Sequence, residues 1–225
     1  MARRGVAGTE DHFVYAEQGF GDTLQFIRFL PLVEQRGGDV HFAVDDRMIP
    51  ILRESGIKNL IPWRPLRDEA KQALFACDWQ VPLMSLPGIL RITLDNLPAK
   101  IPYLAANEEF VARWRRKLRT IEGFKVGIHW HGNKDDARTI PLAEFAPLAK
   151  IGDVQLISLQ KFDGTDELQE IGNRFAVFNF GDELDATGGA FMDSAAIVKQ
   201  LDLVVIPIPT FNCVIPRRGR GRRCG

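Results

Sequence analysis

Short apolar runs alternate with stretches of helical periodicity, and they do so twice along the chain. The first run is Phe13-Val14-Tyr15-Ala16. After it Leu24, Ile27, Leu30 and Val33 recur at three-residue spacing, with Phe26 on the same apolar face. Pro31 inside this stretch predicts a kink or a break, and Gly37-Gly38 ends it. Residues 40–44 read as a second strand, 47–54 as a short helix closed by Gly56, and 57–63 as a third strand. Prolines 65, 82, 87, 98 and 102 break up residues 64–104, where one more strand is expected at 78–83. The alternation restarts with Lys125-Val126-Gly127-Ile128-His129-Trp130. A helix at 142–150, a strand at 154–159, a short helix at 166–171 and a strand at 175–180 come next. A helix at 191–200, its start marked by Asp193 and Ser194, and a last strand at 202–206 complete the pattern. Strands and helices in alternation, joined by short connections, call for parallel βαβ units. The expected fold class is therefore α/β, in two successive runs at 11–105 and 121–206. Residues 106–120 between them form an amphipathic linker helix, and 207–225 a Pro/Arg/Gly tail expected to be disordered.

Composition narrows the function. Among 225 residues there are 15 Phe and 4 Trp, enough to bury a core. No apolar run approaches the ~18–20 residues of a membrane span, and no apolar segment of a secretory leader follows Arg3 and Arg4. Three scattered cysteines exclude a disulfide framework or a Cys-rich zinc site and fit a reducing cytoplasm. The 29 basic residues balance 29 acidic ones. Setting aside the five arginines of 217–225 leaves 24 against 29, a body of net charge −5. Such a body is a poor nonspecific nucleic-acid binder, so the basic residues of the linker helix (Arg113, Arg115, Arg116, Lys117, Arg119) read as a solvated face.

Three strand-end loops carry the candidate chemistry. In Gly19-Phe20-Gly21-Asp22-Thr23, the glycines allow close backbone approach to a ligand, and Asp22 is placed to act as a general base toward an acceptor hydroxyl. The same residues equally suit a tight turn with Asp22 or Thr23 as N-cap. The loop is neither a dinucleotide fingerprint nor a P-loop; Asp45 and Asp46 are the acids nearest the place where such a fingerprint puts one. The second loop spans Trp130, His131, Gly132, Asn133 and Arg138, whose polar groups suit phosphate oxygens or a solvated surface alike. His129 and His131 stand two apart on a strand with no third ligand nearby, so no metal is expected. Gln160 and Lys161 end a strand at the sheet edge where ligands bind in open α/β sheets, or form an ordinary strand end. No Gly-x-Ser-x-Gly hydrolase elbow is present.

Taken in order, residues 15–29 (YAEQGFGDTLQFIRF), 81–87 (VPLMSLP), 101–104 (IPYL), 126–133 (VGIHWHGN), 138–142 (RTIPL) and 157–161 (ISLQK) resemble a known domain. It is the glycosyltransferase-like domain that follows tetratricopeptide repeats in many bacterial proteins, itself similar to the family 9 heptosyltransferases. The resemblance covers about residues 13–206. It implies a GT-B architecture of two Rossmann-like domains, with the acceptor on the first and the nucleotide-sugar donor on the second. It further implies a metal-independent, inverting transfer to an acceptor hydroxyl on a glycan or protein, with no cofactor beyond the donor substrate. Asp22 matches the aspartate proposed as base in heptosyltransferases. Gly19, Gly21 and Thr23 shape its loop, Trp130, His131, Gly132, Asn133 and Arg138 fall in the donor-phosphate region, and Gln160 and Lys161 line the nucleotide pocket. Where the family continues with an Asp-Thr-x-x-x-His loop, this chain has Pro207-Ile208-Pro209-Thr210-Phe211, so the second domain is expected to be truncated and activity compromised. No tetratricopeptide repeat precedes residue 13. A non-catalytic module holding a peptide or glycan is the competing expectation.

Overall fold

A computed structural model describes residues 10–63, 72, 75–98, 100–132 and 139–207. The chain divides into two compact units between Ala105 and Ala106.

In the first unit, β1 (His12–Tyr15) leads into α1 (Phe20–Phe26). The helical stretch does not run on smoothly. Ile27–Phe29 tightens to a 3-10 turn and α2 (Leu30–Glu34) restarts with Pro31 in its first turn, where its missing N–H costs no hydrogen bond. Gly37 and Gly38 then take positive φ. A β-carbon on Gly38 would lie 1.7 Å from the carbonyl oxygen of Glu10, so only glycine fits there. Next come β2 (Val40–Val44), α3 (Ile49–Glu54), β3 (Leu60–Pro62), β4 (Trp79–Pro82) and the single turn α4 (Leu86–Ile89). The four strands form a wholly parallel sheet in the order β3-β2-β1-β4. Parallel sheets are covered on both faces, and the sequence reflects this: Phe13, Val14, Phe42, Ala43 and Val44 are all fully buried.

The second unit opens with α5 (Glu108–Leu118). Asn107 caps it by accepting from the N–H groups of Glu109 and Phe110 at 3.0 and 3.2 Å. Glu108 and Glu109 lie in its first turn and Arg115, Arg116 and Lys117 in its last, the favourable arrangement for the helix dipole. Its buried stripe of Val111, Trp114 and Leu118 packs toward the later helix at Met192–Val198. The basic face is only partly solvated: Arg115, Arg116 and Arg119 are exposed, whereas Arg113 pairs with Asp193 and Lys117 with Glu183. After α5 come β5 (Phe124–Ile128), α6 (Ala146–Ala149), β6 (Val154–Ser158), α7 (Glu167–Glu170), α8 (Met192–Val198) and β7 (Leu203–Val205). The sheet is parallel in the order β6-β5-β7, over a core that includes Val126, Ile128, Trp130, Leu142, Phe145 and Leu156.

The strand expected at 175–180 does not form. A single bridge joins Phe178 to Ile157, through two hydrogen bonds at 2.8 Å, and no ladder extends from it. Phe175 and Val177 still pack against the core, so their alternation is real, but one bridge serves where a ladder was expected. Among the described residues no helix is long and apolar enough to cross a membrane.

Candidate functional site

The loop after β1 is locked by its own residues. The carbonyl of Gly19 accepts from both the backbone N–H and the hydroxyl of Thr23, each at 3.0 Å. Neither Asp22 nor Thr23 caps α1, because no side-chain cap bond forms there. Capping is thereby removed as an account of Asp22. The residue is half-buried and makes no hydrogen bond or ion pair with the described residues. A β-carbon on Gly19 would stand 3.6 Å from its Oδ2, so the carboxylate lies back over that glycine. Gly21 sits inside the first turn of α1. Just upstream, Glu17 accepts from the N–H of Met84 at 3.2 Å and ties the ends of β1 and β4 together.

A cavity of about 210 Å³ opens beside this loop, at the C-terminal ends of β1, β2 and β3. Gln18, Gly19, Phe20 and Thr23 form one wall; Asp45, Arg47, Met48 and Trp63 complete it. Arg47 meets Asp45 in a two-pronged ion pair, Nε and NH2 each 2.9 Å from a carboxylate oxygen, and its guanidinium lies 4.7 Å from the centre of the Phe20 ring. Donating these hydrogen bonds to Asp45 raises the Arg47 pKa further. Trp63 is stacked on Tyr15, with ring centres 5.7 Å apart. Outside the loop after β1, only Asp45 of these residues carried a sequence signal, as an acid closing the second strand. Arg47 and Trp63 carried none, because three separate strand ends bring them together.

In the second unit the expected donor residues are largely engaged with the protein itself. Trp130 is fully buried in the core, its Nε1 donating to Gly164 at 3.0 Å. Gln160, 4% exposed, is the clamp of the region. Its Oε1 accepts from the N–H groups of Trp130 and His131 at 3.1 and 3.0 Å, and its Nε2 donates to the carbonyls of His131 and Asp163 at 3.2 and 2.8 Å. With both faces of the amide occupied, it holds the loop of Trp130, His131 and Gly132 rather than lining a pocket. Lys161 donates to the carbonyls of Leu184 and Asp185. The Nδ1 of His131 lies 2.9 Å from the carbonyl of Gly132, and His131 bridges to Thr139. Asn133 and Arg138 lie outside the described residues.

A buried polar network that the sequence did not reveal adjoins this region. Asp185 accepts from the N–H groups of Asp193 and Ser194 and from the Ser194 hydroxyl, capping α8. Burial pushes its carboxyl above the ordinary range, against the pull of those hydrogen bonds. Asp193 is fully buried, paired with Arg113 and accepting from Trp114 Nε1. These partners lie about eighty positions apart in the chain, so no local spacing could have announced them. His129 is pushed down to about 4, by burial first and by His131 second. Burial, then Asp11 and Asp78, push the Cys77 thiol up, which makes it a poor nucleophile. Among the described residues no group of three His, Cys, Asp or Glu side chains could hold a metal ion.

Solved structures share this architecture. A glycosyl transferase family 9 protein from Veillonella parvula superposes with a TM-score of 0.67 over 89% of this chain and 76% of its own, at 10% identity. The fold is that of the family 9 glycosyltransferases. The ADP-heptose lipopolysaccharide heptosyltransferase II of E. coli matches at TM-score 0.60, 11% identity, over 86% of this chain and 78% of its own. An E. coli heptosyltransferase bound to ADP-2-deoxy-2-fluoro heptose matches at 0.50 and 13% identity, over 86% and 81%. No family model and no curated protein matches the sequence. Within this family 9-like fold, Asp22 and the cavity stand at the C-terminal edge of the first sheet, where open α/β sheets receive ligands.

Proposed function

We propose that the chain is a glycosyltransferase of the GT-B kind, moving a sugar from a nucleotide-sugar donor to an acceptor hydroxyl with inversion. One observation carries the reading: in a family 9-like fold, Asp22 is an uncommitted carboxylate folded over Gly19, a residue that lines a strand-end cavity. A base needs an oxygen that no internal donor already occupies, and Asp22 meets that requirement. It takes the acceptor proton while the hydroxyl oxygen bonds to the anomeric carbon, and the nucleoside diphosphate leaves with the electrons of the broken bond. The first unit holds the acceptor. The second unit serves the donor: His131 and Gly132 are assigned to its phosphates, as are Asn133 and Arg138 by their place in the sequence, while Gln160 and Lys161 act by fixing the backbone of their own unit.

Titration calorimetry with a panel of nucleoside-diphosphate sugars tests donor binding, and the product assay then compares Asp22→Asn. The expected outcome is donor binding in both proteins and a transfer rate at least about 100-fold lower in the variant, the lower end of what a general base contributes. The engagement of Gln160 and Lys161 by internal partners favours one second reading, a module that binds glycan or peptide without chemistry. That reading prevails if no donor binds and Asp22→Ala leaves glycan or peptide affinity unchanged.

A further inference from the structure

The segment that follows β4 presents apolar side chains that the fold leaves uncovered. Leu86 anchors the single turn α4 at 2% exposure, but Ile89, Leu94 and Leu97 are 51%, 93% and 40% exposed. A lone exposed leucine is ordinary, whereas several apolar side chains gathered on one short segment mark contact with another macromolecule. The turn that carries them is tied by its own hydrogen bonds. The Asn96 Oδ1 accepts from the Thr93 N–H at 2.6 Å, and its Nδ2 donates to the Arg91 carbonyl at 3.1 Å. The Ile92 N–H reaches back to the Pro87 carbonyl at 2.8 Å, and Arg91 takes a left-handed φ of 54° to close the turn. Because this shape is set beforehand, a contact made here loses little ordering entropy.

Charge decides which partner fits. Residues 84–97 hold one cation and one anion, Arg91 and Asp95, on either side of Leu94. Both are exposed, and neither side chain makes a hydrogen bond or ion pair with the described residues. A segment of net charge zero has no excess to draw it to an anionic membrane or a polyacid. It does complement itself. In a two-fold contact both copies offer the same patch, so Arg91 of each copy meets Asp95 of the other around a centre formed by the two Leu94 side chains. We propose that this turn is the surface through which the protein pairs with a second copy of itself. So few apolar groups make an interface below the ~1,200 Å² of standard complexes, and the expected Kd is on the order of 100 μM.

Sedimentation velocity on the full chain, from about 5 to 500 μM, should show a concentration-dependent shift from monomer to dimer. Leu94→Asp is expected to stay monomeric throughout, with an unchanged melting curve, since Leu94 has little buried surface to lose. Arg91→Asp and Asp95→Arg each set like charges against one another at both pairs, and each should weaken pairing at least about tenfold. An equimolar mixture of these two variants restores opposite charges at both pairs and should associate as the parent does. A monomer at every concentration overturns the proposal. So does association that survives Leu94→Asp, or a mixture of the two charge variants that fails to pair. Binding of neutral phosphatidylcholine vesicles by the parent, lost in Leu94→Asp and without any dimer, assigns the patch to a membrane and overturns it too.

Discussion

Gln160 offers the most direct test of how the second unit is held together. Its amide closes four hydrogen bonds, between 2.8 and 3.2 Å, that join the loop after β5 to the loop after β6. Gln160→Leu keeps the volume and the burial but leaves the N–H groups of Trp130 and His131 without an acceptor. A buried donor left unsatisfied costs about 1–3 kcal/mol. Two such donors, partly relieved by movement of the loop, predict a loss of about 3 kcal/mol, equivalent to a fall in Tm of roughly 6–12 °C for a chain of this size. Gln160→Glu sharpens the argument. One oxygen still accepts from the two N–H groups, but the other now faces the carbonyls of His131 and Asp163. Burial and those carbonyls raise the carboxyl pKa of the variant above its unfolded value of about 4.3. The neutral acid can donate where the amide did. Its contribution is therefore fully present below about pH 4.3 and is lost as pH rises through the raised folded value. The gap between Gln160→Glu and the parent should be wide at pH 7 and close on acidification, as read by thermal melts from pH 4 to 8. A Gln160→Leu variant within about 0.5 kcal/mol of the parent, or a pH-independent gap for Gln160→Glu, would refute the clamp.

His129 gives the parent protein a pH dependence of its own. Its folded pKa of about 4 lies below the ordinary 6.5, so the unfolded chain binds the proton first and stability falls as pH drops from 6.5 toward 4. The full loss is about 3 kcal/mol, and His129→Gln should flatten that part of the profile in urea titrations. Arg113→Met removes the ionic partner of the buried Asp193 and should cost about 3 kcal/mol, while adding Asp193→Asn to it should recover part of the loss in a double-mutant cycle. Gly127→Ala places a β-carbon 2.3 Å from Leu201 Cδ1 and 3.0 Å from Leu159 Cδ1. Overpacking at the centre of β5 should cost about 1–3 kcal/mol, measured as a shift in the urea midpoint.

The strands were legible wherever both faces of a parallel sheet are largely buried, because such strands read as mainly apolar runs interrupted by one or two polar residues. Val40–Val44 and Val154–Ser158 are of this kind. Pro31 marked the break between α1 and α2 for a local steric reason. The stretch 175–180 misled because alternation reports which side chains face the core, whereas a ladder also needs a neighbouring strand in register. At the site, glycines and polar residues showed where the loops lie but not what each side chain does there. Gln160 and Lys161 look alike in sequence whether they meet a ligand or their own backbone. The pairing of Asp45 with Arg47 was within reach of local spacing, at two residues apart. The gathering of Phe20, Arg47 and Trp63 was not, since it depends on the order β3-β2-β1-β4.

That strand order also governs assembly during synthesis. Of the four strands of the first sheet β1 leaves the ribosome earliest, yet it ends in the middle of that sheet, with β2 on one flank and β4 on the other. The nascent chain can dock β2 and β3 against it early, but the opposite flank stays open until residues 79–82 have emerged. A translational pause within that interval would present an unpaired strand border carrying Phe13 and Val14, a hazard that chaperone capture or rapid elongation would have to cover.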